Sequence, residues 1–189
     1  MAGKKMKAHH EAGHAVTARV LGVGVTYAAM LDVNVQTASA LYIARGGELT
    51  GQIAGAENDA KVALAGAIAQ QHYRPMTEGQ INKAARNGGW TDDLDRAKSL
   101  TAHILYFQSG RSVGDLHREL DPESVLRRLA DTPEASALFD RLWNETQALV
   151  QQHWQAIERV AAALLEHRAL GQDKLDALIA AGRDRKTTA

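Results

Sequence analysis

The chain has 189 residues, of which 45% are hydrophobic and 23% are charged, so it can bury a sizeable core and is not expected to be disordered or fibrous. Its 22 lysines and arginines balance 22 aspartates and glutamates, which argues against nucleic acid or an anionic membrane as the main partner. The chain contains no cysteine, so any metal must be bound by His, Asp or Glu side chains.

The first half of the sequence predicts two helices separated by a short β-region. Residues 5–21 are good helix formers with an apolar stripe, and two glycines end that pattern. Residues 23–45 are rich in Val, Thr, Tyr and Ile and predict two or three short strands. Residues 57–73 are alanine-rich and predict a largely buried helix that Pro75 closes.

The second half predicts a series of helices. Short helices are expected within residues 78–86 and from Asp121, and a longer one over residues 91–105, with three aspartates in its first turn. One long amphipathic helix is predicted over residues 132–164, and a small helix over residues 173–181.

No segment predicts a membrane span. The longest stretches without Asp, Glu, Lys or Arg, such as residues 20–31 and 62–73, have twelve residues. A spanning helix needs roughly 20 apolar residues. The basic N-terminus is followed by His10 and Glu11 and not by an apolar region, so no signal peptide is predicted. We therefore expect a soluble, cytoplasmic protein.

An HExxH pattern occupies residues 10–14 of the first predicted helix. Residues four apart differ by about 40° around a helix, so His10 and His14 face one metal ion. Glu11 projects beside that ion, where it can take the proton of a metal-bound water, whose pKa zinc lowers towards about 7. His9 points about 100° away from His10, and we expect it to be exposed and not a ligand.

The pattern leaves the third metal ligand open. A catalytic zinc site usually has three protein ligands and one open position. The turn at Gly88 and Gly89 favours the acids that follow it, because a flexible turn lets the helix start approach the metal closely. The candidates are Asp93, Asp92, Glu57, Asp59, His72 and His103.

Several segments resemble the FtsH-type AAA+ zinc proteases. Residues 8–16, AHHEAGHAV, look like the HEAGHA signature of that family, and residues 64–71, LAGAIAQQ, resemble its LGGRAAEE helix. Residues 89–97, GWTDDLDRA, resemble its GASNDLxRAT segment, and residues 154–166 its last protease-domain helix. By this resemblance, the second aspartate of residues 89–97 supplies the third zinc ligand. That aspartate is Asp93.

The sequence also departs from the family. It has no Walker A motif, no AAA+ module and no transmembrane helix, as expected for a free-standing relative or for a protease domain cut from a larger chain. The Arg and two Glu of the family's buried helix are Ala67, Gln70 and Gln71 here, and Trp90 replaces a small residue near Asp93. These changes put the family's contacts at those positions in doubt.

We predict a single domain over residues 1–182 of mostly helical α+β class, with a flexible tail at residues 183–189. Residues 1–110 form the metal-site half, with a zincin-like HExxH helix and a small β-sheet. Residues 111–182 form a C-terminal helical bundle.

The predicted function is a zinc metalloendopeptidase that hydrolyses unfolded or flexible protein segments. His10, His14 and Asp93 bind Zn²⁺, and Glu11 is the catalytic residue. The partners are protein or peptide substrates, without nucleic acid or membrane insertion. The family resemblance implies a hexamer, and unfolding of substrates would need a separate ATPase partner. The alternatives are a catalytically weak or inactive FtsH-like zinc-binding adaptor, or a regulatory protease dedicated to one protein partner.

Overall fold

The computed structural model describes residues 2–30, 33–36, 48–87 and 90–181. Within these ranges the chain is mostly helical with one small antiparallel sheet, which confirms the predicted α+β class. The predicted strand content of residues 37–45, the turn at Gly88 and Gly89 and the tail at residues 183–189 lie outside the described residues.

The described part of the chain contains helices throughout, with strands after the first helix and between the last two helices. The helices are α1 (Ala2–Val20), α2 (Leu49–Tyr73), α3 (Glu78–Asn87), α4 (Thr91–Gln108), α5 (Val113–Leu116), α6 (Pro122–Ala130), α7 (Pro133–Gln152), α8 (Trp154–His167) and α9 (Gln172–Ala180). The strands are β1 (Gly24–Ala29), β2 (Val33–Gln36) and β3 (Ala169–Gly171).

The sheet has the order β2-β1-β3, and both pairs are antiparallel. Val25 lies opposite Val35, and Ala28 lies opposite Leu170. Val25, Ala28 and Leu170 are buried, so one face of β1 belongs to the core. No strand was predicted where β3 lies. A strand of three residues has no periodicity of its own, and its partner β1 is distant in sequence.

Helices α1 and α2 cross at very short range. A Cβ atom on Gly13 of α1 would lie 2.5 Å from the carbonyl oxygen of Ala65 and 2.7 Å from Cβ of Ala69. Both distances are well below van der Waals contact, so only a glycine fits between the two helices here. The small residues of α2 therefore let the HExxH helix lie directly on its backbone.

Helix α2 begins eight residues before the predicted start, at Leu49 instead of Glu57. Two glycines, Gly51 and Gly55, suggested a break, since glycine costs about 1 kcal/mol in a helix interior. Packing compensates for this cost. Gly55 is buried, and the buried Gln52 accepts a hydrogen bond from the backbone N–H of Val113 at 3.1 Å.

The long helix predicted over residues 132–164 is wrong in one respect, because it is two helices that meet at His153. His153 leaves the helical path at φ −105° and ψ 15°. The apolar stripe continues across the break, which explains why the periodicity did not reveal it. The new direction brings Trp154 against the rings of His9 and His72.

Ion pairs join the C-terminal helices to the first two. Arg19 of α1 makes two hydrogen bonds with the carboxylate of Asp176 in α9, each 2.7 Å long. Lys61 of α2 pairs with Glu145 of α7 at 2.6 Å. Buried residues of α1, α2, α4, α5, α7, α8 and α9 and of the sheet form one hydrophobic cluster. No helix in the described part of the chain is long and apolar enough to cross a membrane.

The substitution Gly13→Ala should destabilise the protein by about 1–3 kcal/mol, because the methyl group would push the backbones of α1 and α2 apart. Urea unfolding followed by circular dichroism measures this change. Gly79→Ala in α3 is the matched control, since a Cβ there meets nothing within 4 Å. An unchanged unfolding midpoint in Gly13→Ala would contradict the close crossing.

Candidate metal centre

Helix α1 places His10 and His14 one above the other on one face, with their Nε2 atoms 3.1 Å apart. Both residues are buried, each with 8% of its surface exposed. The Nδ1 atom of His14 contacts the carbonyl oxygen of Val62 in α2 at 2.7 Å. Because a carbonyl only accepts hydrogen bonds, Nδ1 of His14 carries the proton and Nε2 is left as a free lone-pair donor.

Helix α4 brings Asp93 to the two histidines from the other side. Asp93 lies in its first turn, and its Oδ2 atom is 3.0 Å from Nε2 of His10 and 3.3 Å from Nε2 of His14. Among the described residues, His10, His14 and Asp93 are the group that could hold a metal ion. The structure thus brings together the three residues that the sequence predicted as ligands.

The spacing of the three donor atoms fits a tetrahedral cation. Zinc binds His nitrogen and carboxylate oxygen at about 2.0–2.1 Å, so two ligand atoms of a tetrahedral site lie about 3.3 Å apart. The separations among His10, His14 and Asp93 are 3.0, 3.1 and 3.3 Å. Two imidazoles and one carboxylate also match the ligand types and number of an open catalytic zinc site.

Two polar atoms of the cluster are buried without a hydrogen-bond partner in the described part of the chain, Oδ2 of Asp93 and Nδ1 of His10. An unpaired buried carboxylate oxygen is costly, about 1–3 kcal/mol or more for a charged group. Oδ2 is the atom that points at both histidine Nε2 atoms, so a bound cation would remove this cost.

Burial and mutual contacts shift the pKa values of all three residues of the cluster. Burial lowers the pKa of His10, with a further contribution from the charge of His14. Burial acts in the same direction on His14, but contacts with Asp93 and with the Val62 carbonyl outweigh it and raise its pKa. Burial would raise the pKa of Asp93, yet its contacts with both histidines hold it well below the usual range. Asp93 is therefore an anion at neutral pH.

Glycine 66 of α2 forms the wall behind the histidines. A Cβ at this position would lie 2.6 Å from Cε1 of His14 and 2.8 Å from Cε1 of His10. Any side chain would therefore occupy the space of the imidazole rings. Gly66 lies in residues 64–71, one of the segments that resemble the FtsH-type proteases, but its role depends on the helix crossing and was not predicted.

The start of α4 is tied to α2 by a side-chain hydrogen bond. Trp90, directly before the first turn of α4, is 1% exposed, and its indole N–H donates to Oε1 of Gln70 at 3.1 Å. Its carbonyl oxygen accepts the N–H of Leu94 at 2.9 Å. Trp90 and Gln70 both differ from the FtsH-type segments that the sequence resembles. In this fold they contact each other, and the neutral amide of Gln70 accepts the indole hydrogen bond. This bond helps to fix the helix turn that carries Asp93.

The other acids and histidines considered as third ligand lie elsewhere. Asp92 is exposed, and Glu57 pairs with Arg141 at 2.6 Å. Nδ1 of His103 contacts the carbonyl oxygen of Ser99 at 2.8 Å, and the ring of the exposed His72 packs on Trp154. Asp59 is buried in α2 but is not part of the metal-ligand group.

Glu11 is buried in α1, with 6% of its surface exposed, and its charge contributes to the raised pKa of His14.

The prediction that His9 is exposed is wrong, because His9 is buried, with only 7% of its surface accessible. Its ring stacks on Tyr73, with ring centroids 3.8 Å apart, and Nδ1 contacts the carbonyl oxygen of Lys5 at 2.7 Å. The side of α1 away from the metal group is covered by α8, which the local sequence did not reveal.

Comparison with known proteins adds no family assignment, since no protein-family model and no curated protein matches the chain.

The substitution Asp93→Asn should weaken zinc binding by at least about 100-fold, because it removes the charged ligand, and a lost ligand costs more than a second-shell change. Asp92→Asn, the adjacent exposed acid, should bind zinc like the wild type. Competition with a chromogenic chelator measures both affinities. Equal zinc affinity in the two variants would remove Asp93 from the ligand set.

The substitution Gly66→Ala should also lower zinc affinity by about 100-fold, while changing stability by no more than about 1 kcal/mol. Its methyl group meets the ends of two imidazole rings, which can swing away, and not backbone atoms as at Gly13. Chelator competition and urea unfolding separate the two effects. A Gly66→Ala protein with wild-type zinc affinity would contradict the assigned position of the rings.

Proposed function

We propose that this protein is a zinc metalloendopeptidase of the FtsH-like type, with a zincin-like arrangement around its HExxH helix. The observation that carries the proposal is the convergence of His10 Nε2, His14 Nε2 and Asp93 Oδ2 at mutual distances of 3.0–3.3 Å. Glu11 adds a buried carboxylate on the same helix turn. A metal group without such an acid would have no built-in proton acceptor.

Each residue has a defined part in the proposed reaction. His10, His14 and Asp93 would hold Zn²⁺, which when bound supplies a Lewis acid for water and the peptide carbonyl. Val62 keeps His14 in the tautomer that presents Nε2. Glu11 accepts a proton from the attacking water and later donates it to the leaving amine.

The position of Glu11 directly after His10 supports this role. Glu11 is 6% exposed and close enough to His14 to affect its pKa. It therefore lies beside the metal group, where a proton acceptor is needed.

The proposed substrates are protein segments that are already unfolded or flexible. The 189 residues contain no Walker A motif, so the residues present can carry peptide hydrolysis but not ATP-driven unfolding. We propose that these 189 residues work together with an ATPase that unfolds the substrate. The hexameric assembly and cytoplasmic location are extensions of the same proposal from the family resemblance.

The substitution Glu11→Gln should lower the rate of casein cleavage by at least about 100-fold while leaving zinc content unchanged, since general acid–base groups contribute about 10²–10⁴-fold. Fluorescent casein and zinc analysis by mass spectrometry are the measurements. Glu123→Gln, an exposed glutamate of α6, is the matched control and should cleave like the wild type.

A wild-type protein with one zinc ion per chain and no cleavage of casein or unstructured peptides would reject the general peptidase. That result would favour the zinc-binding adaptor or the protease dedicated to one partner. A wild-type protein without zinc would reject the metal centre itself.

A further inference from the structure

A second feature of the described chain is a cavity at the N-terminal end of α1. It has a volume of about 560 Å³ and lies between the first turns of α1, the end of β1 and the end of α8. Its apolar lining comes from Ala29, Met30 and Leu165. Cavities of about 300–1,000 Å³ are typical of ligand sites in proteins.

The polar side of this cavity is positively charged. Lys4, Lys7 and Arg168 line it, and none of the described lining residues is acidic. None of the three makes an ion pair with a described residue. The whole chain is neutral, so three cations around one apolar cavity are a local concentration of charge. An anion there would also be favoured by the positive end of the α1 dipole, since the first turn of α1 has no acidic residue.

Arg168 has a left-handed backbone conformation and a backbone hydrogen bond to the residue after β1. It ends α8 with φ 63° and ψ −27°, in the left-handed region where glycine or asparagine is preferred. Its carbonyl oxygen accepts the N–H of Met30 at 3.0 Å. A backbone hydrogen bond therefore joins Arg168, which supplies a cation to the cavity, to Met30, which supplies part of its apolar lining.

One residue that lines the cavity, Lys7, lies next to the catalytic residues of the proposed peptidase on the surface of α1. Lys7 precedes His10 by three residues and Glu11 by four, which places the three on neighbouring positions of the helix surface. With a rise of 1.5 Å per residue, Lys7 and Lys4 lie about 4.5 and 9 Å along the axis from His10. An extended peptide spans about 3.3–3.6 Å per residue, so these distances correspond to about one to three substrate residues.

We propose that this cavity binds an acidic and partly apolar segment of the peptide substrate, one to three residues from the cleaved bond. The substrate carboxylate lies between Lys4, Lys7 and Arg168, and a neighbouring apolar side chain packs on Met30 and Leu165. The inference depends on the proposed peptidase function for the class of its ligand. It adds a preference for acidic residues that the metal group alone does not explain.

Binding of matched peptides tests this subsite. Fluorescently labelled peptides with a Glu-Leu pair or a Gln-Leu pair are titrated into the zinc-loaded Glu11→Gln protein, so that cleavage does not interfere, and anisotropy gives both dissociation constants. We expect the Glu peptide to bind about tenfold more tightly at low salt, because exposed ion pairs each contribute modestly. The difference should shrink as salt screens the charges.

Charge-removing variants then locate the subsite. Lys7→Gln and Arg168→Asn should each reduce the preference for the Glu peptide to about threefold or less, and asparagine is chosen at Arg168 because it tolerates a positive φ. Lys5→Gln is the matched control. Lys5 belongs to the same exposed helix turn but does not line the cavity, and it should leave the preference unchanged.

Equal binding of the two peptides, or a preference that survives the combined Lys4→Gln, Lys7→Gln and Arg168→Asn substitutions, overturns the subsite. Binding of anionic phospholipid vesicles, with no binding of either peptide, would overturn it in favour of a membrane surface. The two proposals fail separately. If the Glu peptide is preferred but the wild type cleaves nothing, the subsite stands without the peptidase; if the wild type cleaves both peptides equally, only the subsite is wrong.

Discussion

The close crossing of α1 and α2 is the constraint on which the rest of the structure depends. Gly13 allows the HExxH helix to lie against the backbone of α2, and Gly66 leaves room for the two imidazole rings. The same contact lets the carbonyl of Val62 orient His14. A larger residue would have a different effect at each glycine. At Gly13 it would meet the backbone of α2, whereas at Gly66 it would meet the ends of the histidine side chains, which can move. Small residues in α2 therefore serve the ligand geometry as well as the packing.

A second constraint is charge balance inside a poorly hydrated cluster. Asp93 is an anion in a partly buried position, and the protein provides His10 and His14 as its close neighbours. Burial lowers the pKa of His10, whereas contacts with Asp93 and the Val62 carbonyl raise the pKa of His14. A divalent cation satisfies all three donors at once. The orphaned oxygen of Asp93 is the structural sign of this preference.

A hydrogen bond between Trp90 and Gln70 joins α2 to the start of α4. In sequence, Trp90 and Gln70 are separate changes, twenty positions apart, and each one casts doubt on the local contacts. In the fold they form one hydrogen bond between α2 and the start of α4. The indole fills the space next to the Asp93 turn, and the neutral amide accepts its N–H without leaving a charge unpaired. Their joint effect could be recognised only after the helices were placed.

The sequence by itself determined the chemistry of this protein: an HExxH helix, two histidines on one face, an acid-rich helix start and the absence of any thiolate ligand. These follow from local spacing and residue type, which depend on the 3.6-residue helical repeat and not on distant contacts. The tertiary structure showed that Asp93, the residue that the resemblance implied, contacts the histidines, and it alone decided that α2 starts at Leu49 and that His9 is buried. Each of these depends on how helices distant in sequence approach one another, and side-chain periodicity within a single segment carries no record of that approach.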